Sequence, residues 1–198
     1  MTREVIVDEA MSILGEFGLG DLTMRRLARQ LEVVPGALYW HVPNKQSLLE
    51  AIAERIVAPV LPNSEVRDFE AKTAAPHWRT ALTSRAMQLR QTILSNRDGA
   101  EVLVAALPVG DLRDRLISAL SSGLAESGLS EQQQELLAHT LLDFILGHTL
   151  SEQATVQLAQ ATEEAFTPES AMELRAQERF SAGLDLLLAG VSQQSPLQ

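Results

Sequence analysis

Cysteine is absent from the 198 residues, so neither a disulfide framework nor a thiolate metal site can be built. Aromatic residues make up only 4% of the chain, which gives weight to any place where two of them meet. Positive charge is in deficit. Lys and Arg number 16 against 26 Asp and Glu, a formal net charge of −10. So acidic a chain argues against a nucleic-acid partner unless its positive charge is locally concentrated. No apolar run approaches the roughly 20 residues that a membrane-crossing helix needs. Met1-Thr2-Arg3-Glu4 lacks the apolar stretch of a signal peptide. These absences lead to the expectation of a cytoplasmic protein without membrane contact, cofactor or metal ion.

What is present is helical periodicity, almost everywhere, with no alternating strand pattern and no internal repeat. The expected fold is all-α. Ile6, Ala10, Ile13, Leu14 and Phe17 form one stripe, stopped by Gly18 and Gly20. Thr23 caps a second helix with Met24, Leu27, Ala28 and Leu31 inward. After a break at Glu32–Val34, Pro35 opens a short third helix, and Asn44 caps a fourth that buries Leu48, Leu49, Ile52, Ile56 and Val57. Pro59, Pro62 and Asn63 mark a boundary, dividing the chain into 1–60 and 61–198. Further helices are expected over about 76–95, 99–106, 111–127, 131–156 and 168–188.

Residues 22–49 read as a helix-turn-helix: a helix, a three-residue break and a very short second helix. Positive charge collects here, with Arg25, Arg26, Arg29 and Lys45 against Glu32 alone, +3 in an acidic chain. At about 100° per residue, Val34, Leu38 and Val42 share the inward face. Gly36 and Trp40 then point outward, flanked by Ala37 and Tyr39. An outward tryptophan beside small residues suits close approach to a DNA groove, with Thr23, Arg25 and Lys45 placed to hold phosphates. The competing reading is that Tyr39 and Trp40 pack against neighbouring helices.

Leu22-Thr23-Met24-Arg25-Arg26-Leu27-Ala28, Leu38-Tyr39-Trp40-His41-Val42-Pro43-Asn44-Lys45 and Leu48-Leu49 resemble the TetR family of repressors, the tetracycline-repressor class in particular. The likeness continues in Asn96-Arg97-Asp98-Gly99-Ala100, in Leu146-Gly147-His148 with Glu152-Gln153, and in Phe180 to Leu186. The resemblance implies an N-terminal DNA-binding domain, including a linker helix, and a C-terminal ligand-binding and dimerisation domain. It also implies a repressor that binds a palindromic double-stranded operator as a homodimer and is released by a small-molecule inducer. An activator of the same fold uses the same parts. Carried over by position, the DNA contacts are Met24, Arg25, Pro35, Gly36, Ala37, Tyr39, Trp40, His41 and Lys45, and Thr23 joins them as a phosphate contact at the start of the second helix. Glu32 stands where the family usually has glycine, at a strain of roughly 1 kcal/mol if the turn needs a positive φ. The apolar Pro35-Gly36-Ala37 suggests contact with thymine methyls more than bidentate hydrogen bonds.

For the body, the expected ligand contacts are His77, Trp78, Arg85, Leu89, Leu103, Ala106, His139 and Phe144, each as readily ordinary core or surface. The tetracycline class holds a drug-bound magnesium through a histidine soon after its Arg-Asp-Gly-Ala segment. Leu103 matches that histidine here and cannot ligate a metal, and Ala106 matches a nearby hydroxyl. A more apolar inducer is therefore expected. The stripes Leu137, Leu141, Phe144, Ile145, His148 and Phe180, Gly183, Leu184, Leu187, Leu188 are candidates for the dimer interface, although amphipathicity does not separate interface from core.

Two other functional classes fit the sequence less well. Four histidines come without Gly-x-Ser-x-Gly, phosphate-cradling or His-Glu-x-x-His motifs, which argues against an enzyme. A helical protein-interaction module would explain the acidity but not an outward Trp40.

Overall fold

The computed structural model describes residues 1–61, 78–162 and 169–192. It contains the helices α1 (Arg3–Phe17), α2 (Met24–Gln30), α3 (Pro35–Tyr39), α4 (Lys45–Val57), α5 (Trp78–Leu94), α6 (Gly99–Ala106), α7 (Leu112–Ser121), α8 (Glu131–Thr162) and α9 (Glu169–Ser192). Among the described residues there is no strand, and no helix is long and apolar enough to cross a membrane. The expected 111–127 helix is shorter: α7 ends at Ser121 and a separate 3-10 turn covers Ala125–Ser127. Its break falls at Ser122-Gly123, where Ser121 and Ser122 hydroxyls bond back to carbonyls of the preceding turn. The α8 and α9 helices both run beyond their expected ends.

Local chemistry sets the helix starts. The side chains of Thr2, Thr23 and Asn44 accept from the backbone N–H of Val5, Arg26 and Ser47. Each satisfies one of the donors that a helix start leaves open. The first unit comprises Met1–Pro59 together with Gln91–Arg115. This unit combines the four N-terminal helices with α6. Its core is built from Ile6, Ile13, Leu14, Leu22, Leu27, Leu38, Leu48 and Ile52, all buried, with Val102 and Leu103 of α6. The second unit comprises Val60–Arg90 and Leu116–Gln198.

A polar anchor joins α6 to the end of α1. Asp98 has φ +55°, and its Oδ2 accepts the buried Leu19 N–H at 2.6 Å. Next to it, the Arg97 guanidinium donates to the Glu16 carbonyl at 2.8 Å. Both carbonyl and amide belong to the corner where α1 stops. Gly18 turns that corner at φ +83°, and a Cβ there would lie 2.8 Å from Asp98 Oδ2. Glycine therefore serves both the turn and the approach of the carboxylate. At the other end of α6, Gln46 of α4 donates to the Ala105 carbonyl at 3.0 Å.

Removal of the Asp98 carboxylate leaves the buried Leu19 amide without its acceptor, at a cost of about 1–3 kcal/mol. Asp98→Ala is expected to lower the thermal midpoint by several degrees. Asp98→Asn, which keeps an acceptor and tolerates positive φ, should fall much less. Differential scanning calorimetry of the two variants distinguishes an anchoring bond from a general loss of charge.

Candidate nucleic-acid interface

The α2–α3 turn shows how the chain presents its short helix. Glu32 has φ +55°. The Val33 N–H donates to the Ala28 carbonyl at 2.9 Å and the Glu32 N–H to the Arg29 carbonyl at 3.1 Å. These are the paired bonds of a Schellman motif, with Glu32 in the position that glycine usually takes. The turn therefore takes a positive φ, and the strain of roughly 1 kcal/mol is borne by a non-glycine residue.

Val34 corrects the expectation drawn from the helical wheel. It is 72% exposed, not a core contact. Its backbone is extended (φ −71°, ψ 141°) because it caps α3 instead of belonging to it. A wheel projected backwards from Leu38 does not apply to such a residue. The signal was available: Pro35 at the first helical position marks the residue before it as the cap. Leu38 and Val42 are buried as expected.

Of the ten residues expected at DNA, Thr23, Arg25, Pro35, Gly36, Tyr39, Trp40, His41 and Lys45 are exposed, while Met24 and Ala37 are half-buried. Trp40 is 90% exposed and Tyr39 48%. Neither ring is buried against α1 or α4, so the packing alternative does not account for Trp40. So large an open aromatic surface forfeits roughly 2–3 kcal/mol of burial. Arg26, counted with the positive charge of the head, is otherwise occupied. It pairs with Asp21 at 2.6 Å and lies over the Phe17 ring at 3.6 Å. Arg25, Arg29 and Lys45 are the exposed cations of the segment.

In the second unit the expected ligand residues are dispersed. Leu89 is in the core and Trp78 is almost covered. Arg85 donates to the Ala119 carbonyl and to the Ser122 hydroxyl. His139 and Phe144 are half-buried. Leu103 and Ala106 are fully buried within α6 of the first unit. His77 lies outside the described residues. A cavity of about 570 Å³ instead opens between α8 and α9, lined by Glu152, Thr155, Val156, Met172, Ala176, Arg179 and Ala182 among others, with none of the eight expected residues at its wall. Its volume is that of a small-molecule site.

One wall of that cavity is backed by a buried ion pair. Arg90 Nη2 donates to both carboxylate oxygens of Glu152, at 2.7 and 2.9 Å, and the side chains are 5% and 8% exposed. The guanidinium also lies 5.4 Å from the Phe180 ring centroid. Phe180 stacks on Phe144 at 5.2 Å and meets His148 edge-on at 5.2 Å. His148 Nδ1 is 3.9 Å from Glu152. Burial pulls the His148 pKa below its ordinary value. Arg90 and Arg179 act in the same direction, and Glu152 opposes them.

The helix faces expected at a dimer interface are mostly used within the chain. Leu137, Leu141, Ile145, Phe180 and Leu184 are buried, and His148, Gly183 and Leu187 are half-buried. A Cβ on Gly183 would lie 2.9 Å from the Phe144 ring, so this glycine admits an intramolecular neighbour. The exposed stripe of α8 is a different one: Leu136, Thr140, Asp143, Gly147, Leu150, Ala154 and Leu158, spaced by fours and threes.

The sequence matches a family model described as bacterial regulatory proteins, tetR family, over residues 6–52. It matches a second, the tetracyclin repressor-like C-terminal domain, over residues 72–177. The tetracycline repressor protein class D of Escherichia coli is 30% identical over 98% of this chain and 90% of its own length. The crystal structure of BioQ from Mycobacterium smegmatis superposes with a TM-score of 0.81 at 30% identity, covering 98% of this chain and 99% of that one. A structure of BioQ with its natural double-stranded DNA operator gives 0.77 at 32% identity, with the same coverage of both chains.

Because its folded-state pKa is depressed, His148 stays neutral while the unfolded chain already takes up a proton. Its contribution is complete above about pH 6.5 and is lost as the pH falls through the depressed value. The thermal midpoint is therefore expected to drop on going from about pH 7.5 to 5.5. His148→Phe, which keeps the ring contacts and removes the titration, should show a smaller drop. Equal slopes for the two proteins would assign the acid sensitivity to other groups.

Proposed function

The chain belongs to the tetR family of bacterial regulatory proteins, DNA-binding transcription regulators with a ligand-binding C-terminal domain, and from that premise we propose that it is a repressor that binds a palindromic operator as a homodimer and is released by a small apolar molecule. It acts in the cytoplasm, where its DNA is. Residues 1–60 read the DNA, and 61–198 bind the effector and pair the copies. The observation that carries this reading is Trp40, which stands 90% exposed at the C-cap of α3, within a segment (residues 22–49) whose net charge of +3 is opposite to that of the chain. A solvent-facing tryptophan beside a glycine has no folding benefit. A DNA groove supplies the missing partner.

Release follows a population shift. The effector binds more tightly to a conformation in which the two heads no longer match successive major grooves, about 34 Å apart. The packing of α6 supports such a route. It lies inside the matched C-terminal domain, yet it packs in the head unit, bonded to α1 through Asp98 and to α4 through Gln46. Saturating effector that leaves operator affinity unchanged would defeat this step. Leu103 and Ala106, apolar and buried, favour an effector bound without metal chelation.

A second copy is the natural occupant of the outward stripe of α8. Two pairs of the stripe are symmetric about Gly147, while Asp143 and Leu150, 4 residues before it and 3 after it, are not. Leu136 and Leu158 lie 11 residues to either side, and Thr140 and Ala154 lie 7 to either side. An antiparallel copy therefore sets Leu136 against the partner's Leu158 and Thr140 against the partner's Ala154, as a two-fold axis requires. Gly147 sits on that axis. A Cβ there meets nothing within 4 Å inside the chain, so its absence serves an approach from outside.

Two measurements test the reading. Tyr39→Ala, at an exposed position, should weaken retardation of the operator by about tenfold or more and leave the fold intact, and binding of the parent chain should fall steeply with salt. Binding indifferent to both would point to an interaction module instead. Gly147→Leu should yield monomers in sedimentation equilibrium with unchanged helicity. A persisting dimer would place the interface elsewhere.

A further inference from the structure

Each base pair offers the major groove its own pattern of donors and acceptors, and thymine adds a C5 methyl group. A polar side chain reads the donors and acceptors. An apolar one has only the methyl to meet. The leading edge of α3 consists of Val34, Pro35, Gly36 and Ala37, and none of these side chains carries a hydrogen-bonding group. Val34, placed outward by its role as cap, contributes a branched apolar surface that is 72% open. Pro35 and Gly36 are exposed as well.

Gly36 supplies an independent argument. Its φ is not positive, so no turn demands glycine there. A Cβ at this position would meet no atom within 4 Å, so no internal packing demands it either. Glycine costs about 1 kcal/mol against alanine inside a helix, and α3 has only five residues to sustain it. The fold gives no return on that cost. The bare backbone is useful only to something that approaches from outside, closer than a methyl group would allow.

We propose that Val34, Pro35 and Ala37 read thymines through their C5 methyl groups, with Gly36 bringing the α3 backbone against the base edges. Specificity over this part of the half-site comes from methyl contact and shape. The inference rests on α3 as the major-groove element and adds the chemistry by which it reads.

The test begins with selection of binding sites from a random-sequence pool by the full chain. Thymines of the selected half-site are then replaced one at a time by deoxyuridine, which removes only the methyl. Affinity is expected to fall about fourfold at each contacted thymine, the equivalent of one buried methylene. At those positions 7-deazaadenine on the paired strand should have little effect. Gly36→Ala should weaken binding by about tenfold or more while its thermal midpoint holds or rises. Selected sites that tolerate deoxyuridine throughout but lose affinity with 7-deazapurines would overturn the methyl reading and leave the regulator reading standing. Full affinity in Gly36→Ala would also overturn it. A pool from which no sequence is retained would overturn the regulator reading and this inference with it.

Discussion

The bond from the Leu19 N–H to the Asp98 carboxylate is the constraint on which the head depends. It fixes the corner at which α1 ends, and the position of that corner sets where Leu22 enters the core and where α2 begins. The α2 helix then carries the Glu32 turn, and the turn carries α3. A carboxylate held in the left-handed region, a glycine at φ +83° and an arginine spanning to the Glu16 carbonyl are all committed to this one junction. Backbone strain of this kind persists only where the surroundings over-determine it. Here the surroundings are a buried amide that has to be satisfied and a carbonyl at a helix end that has to be met.

Much of the head was legible in the sequence because its signals are local. Thr23, Pro35 and Asn44 start their helices through their own chemistry, and the Leu38 and Val42 spacing reports a buried face directly. Val34 misled because periodicity was extended one residue beyond the helix that generates it. Arg26 misled because charge counting cannot tell a free cation from one held by Asp21 and Phe17. In α8 and α9, apolar residues occur on more than one face. Periodicity finds the richer stripe, and the richer stripe is the intramolecular core of Leu141, Ile145 and Phe180. The sparser stripe through Gly147 becomes visible only after that burial is known. The ion pair of Arg90 with Glu152 joins residues 62 apart, and no local pattern announces such a meeting.

Gly36 and Gly147 share a logic. Each sits within a helix, each lowers helix propensity, and at each a Cβ would find open space inside the chain. Local rules broken without internal compensation are the usual trace of a functional surface. The same holds for Trp40. The Arg90–Glu152 pair is the opposite case. A buried pair of this kind contributes little net stability but strongly penalises any arrangement that separates its members. It therefore selects one register of α5 against α8.

The partner of Leu19 lies 79 residues further along the chain. A ribosome that has released the first sixty residues has delivered all four helices of the reading head and none of their anchor. Until α6 emerges, the corner after α1 has an unsatisfied buried amide, and the short α3 rests on an incompletely tied scaffold. Non-local closures of this kind are slow steps, because the intervening loop has to be ordered before the contact forms. The DNA-reading surface is therefore encoded first and completed late, at a point when much of the effector-binding half has already been synthesised.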